Sequence, residues 1–266
     1  MSKLDSNTVV WLIGGSSGIG EALTYQINKT GAKIIISARR ESELERVKSN
    51  CQYPENISIL TVDLAQADEL PGKGQQALSI HGRVDILING GGISQRSAII
   101  DTDISVDRRL MEIDYFGAIA LTKSVLPKMV EQQAGHQVVL SSATGIISTP
   151  WRSAYCAAKH ALHGYYDALR AEHVNDNIKV SIICPGFIKT NISINALVAD
   201  GTPQNKMDNA QGKGMSAEVC ARHIVKAIQN DKQEVYIGGL KEKAGIYVKR
   251  FFPGLFARIV AKSKVT

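Results

Sequence analysis

The chain has 266 residues, 44% hydrophobic and 21% charged, with 23 glycines and 7 prolines, which describes one large globular domain with a sizeable core. Its formal charge of +6 is confined to one end: residues 241–266 carry seven Lys/Arg and one Glu, which leaves residues 1–240 balanced at 24 of each sign. A neutral body excludes a nucleic-acid-binding face, and four scattered cysteines (Cys51, Cys156, Cys184, Cys220) without a CxxC pair or a His/Cys cluster support neither a disulfide framework nor a metal site.

In chain order, a polar opening over residues 1–8 leaves no room for the basic and apolar regions of a secretory signal, so the chain reads as cytoplasmic. Short runs rich in valine and isoleucine follow at Val9–Ile13, Lys33–Ser37, 57–62, 84–88, 137–141, 179–184 and Glu234–Ile237. Most are continuously apolar, which predicts strands covered on both faces. Longer amphipathic stretches between them, at 18–29, Glu41–Ser49, 106–132, 154–174 and 216–230, predict helices. The alternation predicts a single doubly wound, Rossmann-type α/β domain over 1–240, its seven-stranded, mostly parallel sheet covered by helices on both faces. Residues 200–214, with Gly201, Pro203, Gly212 and Gly214, are the one long irregular stretch and read as part of a lid.

Gly14-Gly15-Ser16-Ser17-Gly18-Ile19-Gly20 stands between the first strand and the first helix. A glycine turn there lets backbone N–H groups and a helix N-terminus approach a pyrophosphate. The end of the second strand addresses which dinucleotide binds. An NAD site places an acid there to accept the ribose hydroxyls, whereas this chain runs Ile36-Ser37-Ala38-Arg39-Arg40. Arg39, with Arg40 and the Ser16 or Ser17 hydroxyl, matches a 2′-phosphate, which favours NADP(H). The alternative is a solvated arginine pair matched to Glu41, Glu43 and Glu45 of the next helix.

Ser142 is followed thirteen residues later by Tyr155 and then, at i+4, by Lys159. On a helix this spacing puts phenol and ammonium on one face. A tyrosine with an ordinary pKa of about 10 is a poor acid/base at neutral pH. A cation about 4 Å away at an effective dielectric of about 20 stabilises its phenolate by roughly 4 kcal/mol, on the order of three pKa units before desolvation subtracts some. Taken alone, Tyr-x-x-x-Lys also arises by chance on a helix surface.

The residues in sequence resemble the short-chain dehydrogenase/reductase family over 9–240: the glycine turn, Asp63, Asn89-Gly90-Gly91-Gly92, Ser142, Tyr155, Lys159, and Pro185-Gly186 with Thr190. Within it, Tyr115-Phe116-Gly117, Pro127, Arg152-Ser153-Ala154-Tyr155 and the stretch 191–196 resemble the branch of dehydrogenase/reductase members 7 and 7B. The resemblance implies that Tyr155 is the acid/base, that Lys159 lowers its pKa and holds the nicotinamide ribose, and that Ser142 bonds the substrate oxygen. It further implies that Gly14, Ser16, Ser17, Gly18, Ile19 and Gly20 cradle the phosphates. Asp63 and Leu64 would meet the adenine, Asn89 and Gly90 the adenosine side, and Pro185, Gly186, Ile188 and Thr190 the carboxamide. A homo-oligomer is implied as well.

Three departures from that pattern matter. Ile13 stands where the family has Thr, and Gly90-Gly91 where it has Asn-Ala, which predicts weakened support behind the fourth strand. Asp114 stands where the fourth catalytic residue is Asn, and a carboxylate near Lys159 would compete for its charge and raise the tyrosine's pKa.

The apolar members of 187–215 (Phe187, Ile188, Ile192, Ile194, Leu197, Val198, Met207) indicate a lipophilic carbonyl or secondary alcohol as substrate, unless they are core. Ile93, Trp151 and His163 are equally open to a site or a structural role. The basic, aromatic extension 241–266 contains an apolar segment, 246–260, too short and too charged to span a bilayer. It allows peripheral membrane contact, packing on the body over the pocket, or contact with another subunit, and Pro253 interrupts any single helix. Two functions are compatible with the whole: an NADP(H)-dependent oxidoreductase, or an NADP(H)-binding sensor or interaction protein that kept the fold without turnover.

Overall fold

A computed structural model describes residues 4–263; residues 1–3 of the polar opening and 264–266 of the basic extension lie outside the described residues, as does the Lys241 side chain. In chain order the elements are β1 (Val9–Ile13), α1 (Gly18–Asn28), β2 (Lys33–Ser37), α2 (Glu41–Ser49), β3 (Ile57–Ile59), α3 (Leu70–His81), β4 (Ile86–Asn89) and α4 (Ile104–Met111). They continue with α5 (Gly117–Glu131), β5 (Gly135–Leu140), α6 (Ser153–Glu172), β6 (Ile178–Pro185), β7 (Ile188–Lys189), α7 (Asn209–Gly212), β8 (Met215–Ser216), α8 (Ala217–Gln229) and β9 (Glu234–Ile237). Helices α9 (Leu240–Phe251) and α10 (Pro253–Ala261) complete the chain.

Seven of the strands form one parallel sheet in the order β3-β2-β1-β4-β5-β6-β9. The order reverses between β1 and β4, whose neighbours lie on opposite sides, and Ile13 is level with both Ser37 and Asn89. A crevice opens at such a switch point beyond the strand ends.

Successive strand residues point to opposite faces, and each face carries its own helix layer. Val10, Leu12, Ile34 and Ile36 pack with Leu23 and Ile27 of α1, Leu44 of α2 and Ile224 of α8. Trp11, Ile35 and Leu87 pack with Ala77 of α3, Leu121 and Val125 of α5 and Leu162 and Tyr166 of α6. Each such aliphatic side chain contributes about 1.5–3 kcal/mol through burial. The buried indole of Trp11 donates to Ser37 Oγ at 2.9 Å.

Two features were not expected. The sequence reading leaves 70–81 without an element, yet α3 forms there, although Gly72 and Gly74 disfavour a helix. Gly74 is the reason the helix packs: a Cβ there would lie 2.0 Å from Ser124 Oγ of α5. The single helix expected over 106–132 is interrupted by a π-helical turn, Glu112–Phe116, which carries Asp114. At the other end, the break at Phe252 before Pro253 separates α9 from α10 as expected. Among the described residues no helix is long and apolar enough to cross a membrane.

Candidate active site

At the switch point the turn after β1 is held by the N–H groups of Gly14 and Gly15, both bonded to Ser37 O at 2.7 and 3.1 Å. Gly14 has φ +85° and Gly18 φ +56°, values that L side chains rarely adopt. Gly20 is needed for close approach, since a Cβ there would lie 2.0 Å from Gly14 O. Ser17 sits extended at the N-cap of α1 without a side-chain cap bond, so its hydroxyl is free of that duty.

Beyond β2, Arg39 and Arg40 are exposed. The glutamates that could have matched them are partly engaged elsewhere: Arg46 takes Glu43 at 2.9 Å and Glu21 at 2.8 Å. Among the described residues neither Arg39 nor Arg40 makes an ion pair. Asp63 is partly exposed and its Oδ1 accepts from Ala65 N at 3.1 Å. The neighbouring Leu64 turns inward, against Gly91 and Gly117. Asn89 also turns inward: its amide donates to Tyr166 OH, Thr122 Oγ1 and Ala118 O at 2.9, 3.1 and 3.3 Å, so it offers a ligand main chain, not side chain.

The weakened support expected behind β4 is corrected by packing. A Cβ on Gly90 would lie 2.5 Å from Leu140 Cδ1 and 2.9 Å from Ile13 O, and one on Gly91 2.8 Å from Leu64 Cδ1 and 3.3 Å from Ile13 Cγ2. Ile13, Leu64 and Leu140 already fill the space, so apolar bulk replaces the missing side chains.

The end of the site that carries Ser142, Tyr155 and Lys159 is built on α6 and the loop after β5. Tyr155 and Lys159 lie on the first turns of α6, with the Lys159 Nζ 5.6 Å from the centre of the Tyr155 ring. Ser142 Oγ accepts from Thr144 N at 3.1 Å and donates to Pro185 O at 3.4 Å. Lys159 is buried and donates to Leu140 O at 3.2 Å, and it pairs with Asp114 Oδ2 at 3.3 Å. Only the bond to Leu140 O is a hydrogen bond, and Asp114 Oδ2 lies beside the ammonium as an ion-pair partner. Asp114 Oδ1 accepts from Ile93 N at 2.8 Å, which ties the π-helical turn to the segment after β4.

Electrostatics at this pair run in two directions. Burial disfavours the Lys159 charge, but Asp114 and Tyr155 outweigh it and its pKa is raised. Burial raises the Asp114 pKa despite the opposing pull of Lys159 and the Ile93 N–H. The carboxylate does share the lysine, as the sequence suggests, without monopolising it.

Ser142, Tyr155 and Lys159 line one cavity of about 870 Å³. Gly90, Pro185, Gly186, Ile188 and Thr190 belong to the same wall, as does Ile19 of the glycine turn. A second hollow of about 400 Å³, against Trp151 and Asp200, contains none of the three. Phe187, Ile188 and Ile192 face the larger cavity, whereas Leu197 is core and Val198 lines the smaller hollow. Ile93 is partly buried against the core, and Trp151 is exposed at φ +68°. His163 is structural: it meets Ser141 Oγ at 3.0 Å and Cys184 Sγ at 3.7 Å behind the site.

One part of the site is not foreseen from the sequence. Asp208 Oδ2, buried, meets Arg96 at 2.7 Å and Arg152 at 3.1 Å, and Gln204 donates to its Oδ1 at 3.1 Å. Both arginines line the cavity, so this cluster pins the 187–215 segment beside Tyr155. The segment is also closed at its base where β7 pairs with β8. The extension takes one of the courses its sequence allowed, packing on the body over the pocket, since Phe256, Ile259 and Val260 of α10 form part of the cavity wall. Packing on the body is therefore one of its roles.

Comparison with known proteins places this geometry. The model of the family described as short chain dehydrogenase matches residues 8–199. A dehydrogenase/reductase SDR family protein 7-like from Drosophila melanogaster is 39% identical over 264 residues, covering 97% of this chain and 80% of the relative. Dehydrogenase/reductase SDR family member 7B from Mus musculus is 40% identical over 260 residues, covering 96% and 80%. Among solved structures, a short chain dehydrogenase/reductase from Burkholderia phymatum in complex with NAD superposes with a TM-score of 0.83 at 19% identity, covering 100% of this chain and 98% of that one. The chain belongs to the short-chain dehydrogenase/reductase family and is an oxidoreductase of that family.

Proposed function

We propose that this short-chain dehydrogenase is an NADP(H)-dependent enzyme that interconverts a carbonyl and a secondary alcohol on a lipophilic small molecule, running as a reductase in the cell. The observation that carries the reading is the shared wall: Ser142, Tyr155 and Lys159 line a single cavity that extends from the glycine turn to apolar side chains of the lid and α10.

The residues present fit a nicotinamide dinucleotide. Gly14, Gly18 and Gly20 leave a cradle that a Cβ would obstruct or strain, and Arg39 and Arg40 offer guanidinium groups without carboxylate partners among the described residues, as a 2′-phosphate requires. Ser16, Ser17, Ile19 and Asp63 with the main chain of Asn89 and Gly90 would hold the adenosine diphosphate side; Lys159, Pro185, Gly186, Ile188 and Thr190 would hold the nicotinamide side. When bound, the nicotinamide supplies or accepts the hydride.

The chain's own residues manage the proton. Tyr155 gives its phenolic proton to the carbonyl oxygen on reduction and takes it back from the alcohol on oxidation. Lys159 stabilises the phenolate left behind, and the Ser142 hydroxyl bonds the same substrate oxygen as negative charge develops there. The lid, held by the Arg96–Asp208–Arg152 cluster, keeps water from that oxygen.

A second reading, an NADP(H)-binding sensor without turnover, draws its support from the Lys159–Asp114 pair, which takes charge away from Tyr155. Aliphatic, steroid and aromatic ketones offered with NADPH to the enzyme and to Tyr155→Phe separate the two. Turnover that falls by about 10²–10⁴-fold in the variant supports the enzyme. Tight NADPH binding with no Tyr155-dependent oxidation of NADPH supports the sensor.

A further inference from the structure

We propose that α9 and α10 dock this protein on an anionic membrane surface, with α10 standing between the lipid and the cavity. Helix α10 has two apolar faces. Phe256 and Val260, four residues apart, line the cavity, as does Ser263 just past the helix end. Phe252 and Leu255 point outward, 64% and 52% exposed, and Ile259 sits at the rim, lining the cavity while 52% exposed. On α9, Ile246 is buried while Tyr247 and Phe251, one turn apart, are 56% and 69% exposed. Leu240 at its start is 87% exposed.

The charge around these side chains is of one sign. Lys243, Arg250, Arg258 and Lys262 are exposed among them. The only acid of the extension, Glu242, lines the cavity beside Gly186 and Gly239. This segment holds the whole positive excess of the chain. Aromatic and aliphatic bulk ringed by Lys and Arg is the composition that lies in a headgroup layer and is drawn to anionic lipid. The two helices, of 12 and 9 residues and broken at Phe252, are the length of elements that lie on a bilayer and not through it.

Charge complementarity also decides between occupants. In a two-fold interface the same patch faces itself, so Lys243, Arg250, Arg258 and Lys262 would meet their own copies with no exposed acid of the extension to offset them. An anionic lipid surface supplies the missing sign. The inner side of α9 is meanwhile fixed to the body, where Lys249 Nζ donates to Ile146 O and lies 3.3 Å from His160 Nε2. A membrane under the outer face would therefore sit one helix away from a mostly apolar cavity, the arrangement that lets a lipophilic compound enter without crossing water. Docking itself does not depend on the catalytic assignment and is tested without it.

The full chain is mixed with vesicles of phosphatidylglycerol and phosphatidylcholine in equal parts, and with vesicles of phosphatidylcholine alone, and bound protein is measured by flotation. Binding should be at least about tenfold stronger on the anionic vesicles and should fall as salt is raised. Phe251→Ser with Phe252→Ser and Leu255→Ser should lower it about tenfold or more, and so should Arg250→Glu with Arg258→Glu. Both variants should keep the parent's unfolding temperature and its NADPH affinity. Equal binding to the two vesicles, or none, overturns the proposal. So does a result in which the apolar variant halves the molecular mass in light scattering while vesicle binding stays unchanged, because the face then belongs to a second copy of the chain.

Discussion

The Lys159 ammonium and the Asp114 carboxylate stand 3.3 Å apart inside the protein, one helical turn from the Tyr155 phenol. Asp114→Asn removes the competing charge while an amide oxygen can still accept the Ile93 N–H. More of the ammonium's field then falls on the Tyr155 phenolate. In the oxidation direction, where the phenolate must accept a proton, turnover near neutral pH should rise several-fold. The variant should also lose about 3 kcal/mol of stability in urea titrations, because a buried ammonium is left beside a neutral amide. Unchanged turnover would show that the carboxylate does not govern the tyrosine.

In the proposed function, cofactor choice rests on a guanidinium, that of Arg39, which makes no ion pair among the described residues. Arg39→Asp should weaken NADPH binding by about tenfold to a hundredfold, as loss of a charge-assisted bond implies, and leave NADH within a few-fold of its parent value. Fluorescence titration with each nucleotide measures both. Equal losses would refute the 2′-phosphate contact.

The lid anchor makes a different demand. Burial pushes the Asp208 carboxyl up, but Arg96, Gln204 and Arg152 together hold it below the usual carboxylate range. A depressed folded pKa contributes stability that is present above about pH 4 and is lost as pH falls through the folded value. Asp208→Asn leaves two buried guanidinium groups facing each other, and about 3–5 kcal/mol should disappear from equilibrium unfolding. Because the cluster holds the lid and not the reacting atoms, KM for the ketone should rise more than kcat falls.

Acid stability has one identifiable contributor in the sheet. Burial lowers His136 to about 4, with Asp231 opposing the shift and Lys179 adding to it, and its Nε2 meets Ser181 Oγ at 2.8 Å. The unfolded chain binds a proton at this position below about 6.5 and the folded chain does not, so stability should fall between about pH 6.5 and about pH 4, by about 3 kcal/mol in all. His136→Gln should flatten that window in thermal melts recorded across pH. An unchanged slope would assign acid sensitivity to other groups.

What could be read in the sequence was whatever repeats locally. Strands such as Val9–Ile13 are continuously apolar because both faces are covered, and the glycine turn and Tyr155/Lys159 carry their meaning in a spacing of a few residues. Helix α3 was not legible because its Gly74 serves contact with Ser124 on a distant helix. Asp208 was equally silent, since its partners Arg96 and Arg152 are 112 and 56 residues away in sequence. Nor could composition divide α10 into a side that walls the cavity and a side that faces out, because that division depends on where the body lies.

All four thiols are buried and none is cross-linked: Cys220 is fully enclosed and Cys156, beside Tyr155, only 3% exposed. Burial also raises each of their pKa values, so little thiolate exists at neutral pH. Alkylating reagents consequently report on breathing. The rate at which each sulfur is trapped measures how often its part of the fold opens, and inactivation by such a reagent would mark loosening of α6 or β6 and not the capture of a nucleophile.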